Sequence, residues 1–260
     1  MTWEAAWQAG RTGWDAGQAA PALLELLALD SPKSPGTLGV SGAQRGQVEA
    51  PCRFDALVAG SAEAATSQPP MRVLVPGAGA GYDVLALAAP HRAVLGLDLA
   101  PSAKARFDAL LEQHPRPAHA PLDVSYWVTD FFSLSADPRW SGPADATWDY
   151  TFFCALNPTQ RPAWARAMAQ LIRPAGALFT LMFPLIEDPT LGAALDESAS
   201  PVDRDQGPPF PLTQAIYAEH LLAPGADGAP LFRLEARWPV ERSHPGRAGK
   251  EALAVWRRSS

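Results

Sequence analysis

Several residue types are scarce in this chain of 260 residues, and each scarcity argues against a class of protein. Two cysteines, Cys52 and Cys154, are too few for a disulfide framework or a four-cysteine zinc site. Cys154 lies inside an apolar run, where a buried structural thiol is expected. The sequence therefore favours no metal site, and without a Ser-His-Asp set it offers no catalytic base. The five histidines are scattered and expected at the surface: His91, His114, His119, His220 and His244.

Long apolar runs and an excess of basic charge are also missing. No apolar run reaches the roughly 18 residues that a membrane span needs, and no basic-then-apolar leader is evident. The 21 basic residues are outnumbered by 27 acidic ones, and the resulting net charge of −6 opposes a phosphate-binding surface. We therefore expect a soluble, cytoplasmic monomer that binds neither nucleic acid nor membrane.

The stretch RVLVPGAGAGYDVLAL, residues 72–87, organises the rest of the chain. Its apolar run Val73–Val75 predicts a buried strand, Pro76 ends that strand, and the pattern becomes helical from Tyr82. Glycines between strand and helix permit a left-handed backbone and the close approach of a ligand. A strand, a glycine turn and a helix N-terminus are typical of a nucleotide-binding corner. The glycines of this turn are Gly77, Gly79 and Gly81.

A second predicted strand places an acid near the glycine turn. The run Ala93–Leu97 ends on Asp98, about 20 residues beyond the turn, where an acid binds the hydroxyls of a ribose. A solvated loop aspartate is the alternative. The dinucleotide fingerprint requires a third glycine where this chain has Tyr82, which disfavours NAD and a dehydrogenase. A GxGxG turn followed by such an acid is the arrangement that S-adenosylmethionine-dependent methyltransferases use.

Three tryptophans stand in the first 14 residues. Trp3 and Trp7 share one face of a helix that Thr2 can cap, and Trp14 follows after a turn. They either pack this segment onto the core or cover a cationic ligand, because indole faces attract a positive centre. Both interpretations remain open at this point.

Composition divides the chain into three parts. Residues 1–29 are expected to form an N-terminal lid, and residues 30–70, rich in small and polar side chains, a flexible insertion with one short helix near Phe54 and Val58. From residue 71 to 260 strands and helices alternate in a single catalytic core. This alternation predicts an α/β fold: a Rossmann-like, seven-stranded, mostly parallel sheet with an antiparallel edge strand and helices on both faces.

Motifs along nearly the whole chain, apart from about residues 30–70, resemble one family. They are WEAAWQAGRTGWDAG, RVLVPGAGAGYDVLALA, VLGLDLAPSA, TDFF, WDYTFFCALNPTQRPAWARAMAQLI, LFTLMFPL, GPPFPL and RAGKEALAVWRR. Together they resemble the thiol and halide methyltransferases of the thiopurine S-methyltransferase-like family. The resemblance implies a class I methyltransferase that uses S-adenosylmethionine and releases S-adenosylhomocysteine.

The resemblance also implies roles for particular residues. Asp98 is expected to bind the ribose, Asp130 with Phe131 the adenine, and residues 207–210 to cover the acceptor. Contacts to the acceptor are expected from Arg161, Phe210 and Tyr217. The full set expected to bind the methyl donor is Trp3, Trp7, Trp14, Gly77, Gly79, Asp98, Asp130, Phe131 and Tyr150.

Three departures from the family pattern concern the acceptor side. Ala78 stands where the family usually has cysteine, the insertion at residues 30–70 is longer than in plant members, and the acidic loop from Glu187 to Asp205 is enlarged. These departures leave the donor assignment intact and leave the size of the acceptor open.

The implied reaction is an in-line displacement of the sulfonium methyl by a small thiol, hydrosulfide or halide. A thiol with a pKa of about 8.5 is partly ionised near neutrality and a halide needs no deprotonation, so no general base is required. Arg161 either steers an anionic acceptor or pairs with a neighbouring acid. A small-molecule O- or N-methyltransferase and a non-catalytic binding protein remain as alternatives.

Overall fold

The structure, a computed structural model, describes residues 2–28, 54–59, 70–114, 122–186 and 207–260. Cys52, His119, the acidic loop at 187–205 and most of the insertion at 30–70 lie outside these ranges. The strands are β1 (Met71–Pro76), β2 (Arg92–Asp98), β3 (Asp123–Val128), β4 (Ala144–Tyr150), β5 (Ile172–Met182), β6 (Phe232–Pro239) and β7 (Ala252–Arg258). The helices are α1 (Trp3–Gln8), α2 (Pro21–Ala28), α3 (Phe54–Ala59), α4 (Tyr82–Leu87), α5 (Pro101–Gln113), α6 (Arg161–Leu171) and α7 (Gln214–Leu221).

The strands form one mixed sheet in the order β3-β2-β1-β4-β5-β7-β6. The first five pair in parallel, while β7 runs antiparallel to both β5 and β6. The predicted seven-stranded sheet is therefore confirmed, and its antiparallel strand lies one position inside the edge. Because the parallel strands all point the same way, the loops after β1 to β5 meet along one edge, where ligands bind in such sheets.

Helices cover both faces of the sheet, as the alternation predicts. One face buries Trp164 of α6 and Tyr217 of α7, and the opposite face buries Leu23 of α2, Phe54 of α3 and Phe107 of α5. The central strand β1 packs against both layers, which explains its continuous run of buried valine and leucine. No helix among the described residues is long and apolar enough to span a bilayer.

The turn between β1 and α4 depends on its glycines. Gly77 and Gly81 both have positive φ, 59° and 80°, which costs little only for glycine. A Cβ at Gly77 would lie 2.5 Å from the ring of Phe152, and one at Gly81 would lie 2.3 Å from Phe107. The backbone therefore packs directly under aromatic side chains, and only glycine fits at these two positions.

Helix α3 lies within the range predicted to be a flexible insertion, and it packs against the sheet. Phe54 is fully buried and stacks on Phe179 of β5 at 4.7 Å between ring centroids. Asp55 forms an ion pair with the buried Arg92, and Arg257 donates to the carbonyls of Leu57 and Val58. The expected short helix is present and packs against the sheet, so we propose that the core includes residues 54–59.

After β4 the chain turns across the edge of the sheet. The strand ends at Tyr150, Thr151 has a left-handed φ of 61°, and Phe153 begins a short 3-10 turn. The buried carboxylate of Asp149 accepts hydrogen bonds from the backbone N–H of Phe153 at 3.1 Å and the indole N–H of Trp164 at 3.0 Å. These two bonds stabilise the turned chain and direct it across the sheet edge.

Strand β5 contains an irregular stretch near its start. Pro174 and Gly176, residue types that weaken or interrupt strands, lie within β5 together with Ala175. The pairing register with β4 shifts within this stretch, since Ile172 pairs with Ala144 but Ala177 pairs with Ala146. The three residues thus form an irregular stretch in which Ala175 takes a φ of 59°, and the strand continues beyond it.

Candidate active site

A cavity of about 710 Å³ opens at the edge where the parallel strands end. This volume lies within the range of small-molecule sites, roughly 300–1,000 Å³. Eight of the nine residues predicted to bind the donor lie on its wall. They are Trp3, Trp7, Trp14, Gly77, Gly79, Asp98, Asp130 and Phe131.

Asp98, the last residue of β2, anchors one side of the cavity. Its Oδ2 accepts the N–H of Gly79 at 3.0 Å and its Oδ1 accepts the N–H of Ala100 at 2.9 Å. Tyr126 donates to the carbonyl of Gly79 at 2.6 Å, which fixes the same turn from the other side. Burial raises the pKa of the Asp98 carboxyl, and the two backbone N–H groups lower it in part. Each oxygen keeps a second lone pair, which is available to a ligand hydroxyl.

Asp130 and Phe131 form the neighbouring wall after β3. Asp130 caps a 3-10 helix, Phe131–Ala136, by accepting the N–H of Phe132 at 3.0 Å. The ring of Phe131 contacts those of Phe132 and Phe152 edge-on at 5.3 and 5.1 Å. An acid beside an aromatic cluster can accept from an amino group while the rings pack against a flat heterocycle. This end of the cavity suits a nucleoside.

The tryptophans form an aromatic cluster on the N-terminal side of the cavity. Trp14 meets Trp3 edge-on at 5.1 Å and Trp7 at 5.8 Å, and all three rings remain partly exposed on the wall. Helix α1 is held in place by Glu4, which accepts the backbone N–H and the hydroxyl of Ser102 at 3.0 and 2.7 Å. The rings therefore pack against one another and also face the cavity.

Tyr150, the remaining predicted donor residue, lies beside a second and smaller cavity of about 70 Å³. Its hydroxyl donates to Glu251 at 2.6 Å and accepts from Arg247, and burial followed by the Glu251 charge raises its pKa. Arg247 also donates to the backbone carbonyl of Trp14 at 2.8 Å and lies over the Phe183 ring. Arg247 and Glu251 are the first and last residues of the motif RAGKE, and no local pattern marks either of them as a site residue.

The structure places the three predicted acceptor residues behind the wall of the cavity. The Arg161 guanidinium lies 5.1 Å from the ring centroid of Phe153 and 5.9 Å from that of Phe210. Tyr217 is buried against Phe153 at 4.3 Å, where it is a core residue. Phe210 donates its backbone N–H to the carbonyl of Cys154 at 2.8 Å, which joins the 207–210 loop to the wall.

The wall itself is largely apolar on this side. The lining residues that follow β4 and β5 or belong to the 207–210 loop include a set with small or apolar side chains: Phe152, Cys154, Ala155, Leu156, Phe183, Pro208 and Pro209. Arg161 is 5% exposed, and its Nε and one terminal nitrogen have no hydrogen-bond partner among the described residues. Its charge therefore stands close behind an apolar surface.

Two buried acidic groups near this wall have strongly perturbed pKa values. Burial raises the pKa of Asp149 to about 7 and that of the Cys154 thiol to about 12. The Cys154 Sγ–H donates to the carbonyl of Thr151 at 3.4 Å. As the sequence indicated, Cys154 is a buried thiol, and at neutral pH it is not a nucleophile.

His244 contradicts the prediction that the histidines lie at the surface. It is 3% exposed, and its ring stacks on Tyr150 at 6.1 Å. Burial and the nearby Arg247 charge lower its pKa, so the imidazole is neutral near pH 7. Its burial follows from packing between the β6–β7 connection and β4, which the sequence does not reveal.

Sheet order, glycine turn, the acid after β2 and the cavity together define a class I S-adenosylmethionine-dependent methyltransferase. The residues present fit that donor. Gly77 has no side chain to block a ligand from its backbone, and Asp98 has lone pairs that can accept from ribose hydroxyls. Asp130 with Phe131 can hold a purine. Among the described residues no cluster of His, Cys, Asp and Glu is placed to hold a metal ion.

Comparison with known proteins identifies the family. The profile described as thiopurine S-methyltransferase (TPMT) matches residues 54–259, so the chain belongs to the thiopurine S-methyltransferase family. It is 31% identical over 258 residues to the probable thiol methyltransferase 2 of Arabidopsis thaliana, covering 99% of this chain and 85% of the relative. It is 29% identical to thiocyanate methyltransferase 1 of Brassica oleracea, with 98% and 84% covered.

Solved structures share the fold. A methyltransferase from Methanosarcina mazei that depends on S-adenosylmethionine superposes with a TM-score of 0.54 at 14% identity, over 74% of this chain and 94% of the other. A Burkholderia thailandensis N1-methyltransferase solved with bound S-adenosylhomocysteine gives 0.50 at 18% identity, over 74% and 72%. These likenesses show the fold, while membership of the thiopurine S-methyltransferase family makes S-adenosylmethionine the methyl donor of the present chain.

Proposed function

We propose that this enzyme transfers the methyl group of S-adenosylmethionine to a small thiol or to a comparable anion such as hydrosulfide, thiocyanate or a halide. The observation that carries the proposal is the contrast along the cavity wall. The nucleoside end carries the acids Asp98 and Asp130, whereas the opposite end is apolar and, within the described ranges, contains no titratable group suited to act as a base. The names of the plant relatives support the same acceptor class.

The chain's own residues would act by binding and orientation. Asp98 would hold the ribose, Asp130 with Phe131 the adenine, and the tryptophan cluster would lie over the reacting centre. When bound, the donor supplies a methyl group already activated by the positive charge on its sulfur. The protein then has to align an anionic nucleophile and exclude water, and the apolar wall around Phe152 and Phe183 serves that purpose.

Two further groups shape the acceptor end. The raised pKa of Cys154 keeps this thiol protonated, so it does not compete with the acceptor for the methyl group. Arg161, buried behind the wall, would favour an anion over a neutral acceptor through its charge rather than by direct contact. Phe210 and Tyr217 would support the wall from behind. A cytoplasmic monomer without nucleic-acid partners remains our prediction.

A methyl-transfer assay followed by mass spectrometry tests the proposal. The acceptors are iodide, thiocyanate, hydrosulfide, an aromatic thiol, a phenol and an amine, each measured between pH 6 and pH 9. We expect transfer to the thiols and anions. The rate with a thiol should rise with pH as the thiolate forms, while the rate with iodide stays flat, because iodide has no proton to lose.

Other outcomes would identify the alternatives. Faster methylation of the phenol or amine would make the protein an O- or N-methyltransferase. Tight binding of S-adenosylhomocysteine without transfer to any acceptor would indicate a binding protein. A rate with iodide that depends on a titrating protein group would contradict the absence of a catalytic base.

A further inference from the structure

Arg247 is a buried cation on the wall of the cavity that makes no direct ion pair with a carboxylate among the described residues. It is 9% exposed and donates to the Tyr150 hydroxyl and to the Trp14 carbonyl, both of which are uncharged. It forms no ion pair with a carboxylate in the part of the chain that the structure describes, since Glu251 is reached only through Tyr150. The charges of Asp83 and Glu251 act near Arg247 only without direct contact. A buried guanidinium is costly unless it is paired directly, so a ligand anion at this point would complete the pairing.

The charges on the wall show where that anion belongs. The charged side chains that line the larger cavity, within the described ranges, are Asp98, Asp130 and Arg247. The two acids stand at the nucleoside end, after β2 and β3. Arg247 is therefore the one cation on the described wall, and the opposite charges are separated along the sheet edge.

Arg247 stands where the two cavities meet. The residues that line both cavities are Trp7, Trp14, Gly77, Gly79, Thr151 and Arg247. This junction lies beside the glycine turn, between the nucleoside end and the apolar acceptor end. The sulfonium of the donor would lie between these two ends, and its methionine arm, which carries a carboxylate and an ammonium group, branches from that sulfur toward the junction.

We propose that Arg247 binds the carboxylate of the methionine moiety of S-adenosylmethionine, an inference that rests on the proposed function. The contacts to Tyr150 and Trp14 fix the direction of the guanidinium and leave further N–H groups for a carboxylate. Arg161, behind the acceptor wall, is the second buried cation of the site. The two arginines then serve different anions, the donor carboxylate and the acceptor.

The bond from Arg247 to the Trp14 carbonyl requires the test to separate two roles. If Arg247 only holds the tryptophan segment in place, its substitution would lower the affinity for every adenosine ligand equally. An arginine that binds the carboxylate distinguishes S-adenosylhomocysteine from its decarboxylated analogue, 5′-deoxy-5′-(3-aminopropylthio)adenosine, which keeps the nucleoside, the thioether and the ammonium group.

Isothermal titration of both ligands against wild type, Arg247→Met, Arg247→Lys and the control Arg242→Met tests the proposal. Arg242 belongs to the same β6–β7 connection but its side chain is 72% exposed. We expect Arg247→Met to weaken S-adenosylhomocysteine by about ten- to a hundredfold, the range for a hydrogen-bonded charge pair, and the analogue by less than about threefold. Arg247→Lys should recover part of the loss, and Arg242→Met should behave as wild type.

If Arg247→Met weakens both ligands equally, Arg247 only holds the tryptophan segment in place. If the variant binds both ligands as wild type does, the carboxylate binds elsewhere. Either result would overturn the proposal. Should Arg247→Met fail to fold, the wild type still decides, because equal affinities for the two ligands would mean that no cation binds the carboxylate. Wild-type protein that binds neither ligand would instead refute the proposed function.

Discussion

Substitution of Asp98 by asparagine tests the nucleoside end of the site most directly. In the structure each carboxylate oxygen accepts one backbone N–H, from Gly79 at 3.0 Å and from Ala100 at 2.9 Å. Asparagine has the same shape but replaces one oxygen by an NH₂ group, which faces one of these donors. One hydrogen bond is lost inside the protein, and one acceptor is lost to the ribose.

The expected magnitudes follow from this geometry. A ribose hydroxyl pair bound to a carboxylate makes charge-assisted hydrogen bonds, each contributing roughly 1.5–3 kcal/mol. The asparagine side chain can keep one neutral bond, so Asp98→Asn should weaken S-adenosylhomocysteine by about 2–3 kcal/mol, or roughly 30- to 150-fold. The full deletion Asp98→Ala should cost about 2–4 kcal/mol. Thermal stability should fall little, because the variant also removes a buried charge.

The assay is isothermal titration with S-adenosylhomocysteine and with its 2′,3′-dideoxy analogue, which lacks both hydroxyls. Asp123→Asn, an exposed acid at the start of β3, is the matched control. The analogue should lose much less affinity than S-adenosylhomocysteine, because it has no hydroxyl to lose and only the hydrogen bond inside the turn is affected. An equal loss for both ligands would show that Asp98 acts only by holding the turn, and the ribose assignment would be refuted.

Three further predictions concern the lid, the core and pH. Trp7→Ala should weaken S-adenosylmethionine more than S-adenosylhomocysteine by about 0.5–2 kcal/mol, because only the former carries a cation; equal losses measured by titration would leave packing alone. Phe54→Ala should lower the free energy of unfolding, measured in urea, by about 3–5 kcal/mol, whereas the control Leu24→Ala at an exposed position should lower it by less than about 1 kcal/mol. A small loss for Phe54→Ala would mean that α3 does not contribute to the core. Burial raises the pKa of Asp149 from 3.8 to about 7, so the folded state binds this proton more tightly than the unfolded state does. Its contribution to stability should therefore be present at pH 5 and lost as pH rises through 7. Unfolding of wild type and Asp149→Asn at pH 5 and pH 8 checks the sign, and identical pH dependence would contradict it.

Local sequence signals were sufficient for most of the sheet and for the residues that the structure brings together at one end of the cavity. The run Val73–Val75, the glycine turn and Asp98 are consecutive features whose spacing follows from strand length and turn chemistry. The Thr2 cap and the shared face of Trp3 and Trp7 follow equally from helical periodicity, and α1 forms as expected. Such features can be predicted because each depends on residues within one or two turns of the chain.

Contacts between distant residues determined what the sequence did not reveal about the acceptor side. Arg247 meets Tyr150 and Trp14 across separations of 97 and 233 residues, and no local pattern selects it from its motif. Arg161 and Tyr217 were expected on the wall, yet the turn after β4 places Cys154 and its neighbours in front of them.

The sequence by itself therefore determined the fold class and the sheet edge at which the cavity opens, because the spacing of apolar residues and glycines encodes them locally, and its motifs determined the family by resemblance. Only the tertiary structure decided that α3 belongs to the core, that His244 is buried and that Arg247 faces the cavity. These outcomes depend on where strand ends and connections meet, and that is set by packing between elements far apart in the chain rather than by any one segment.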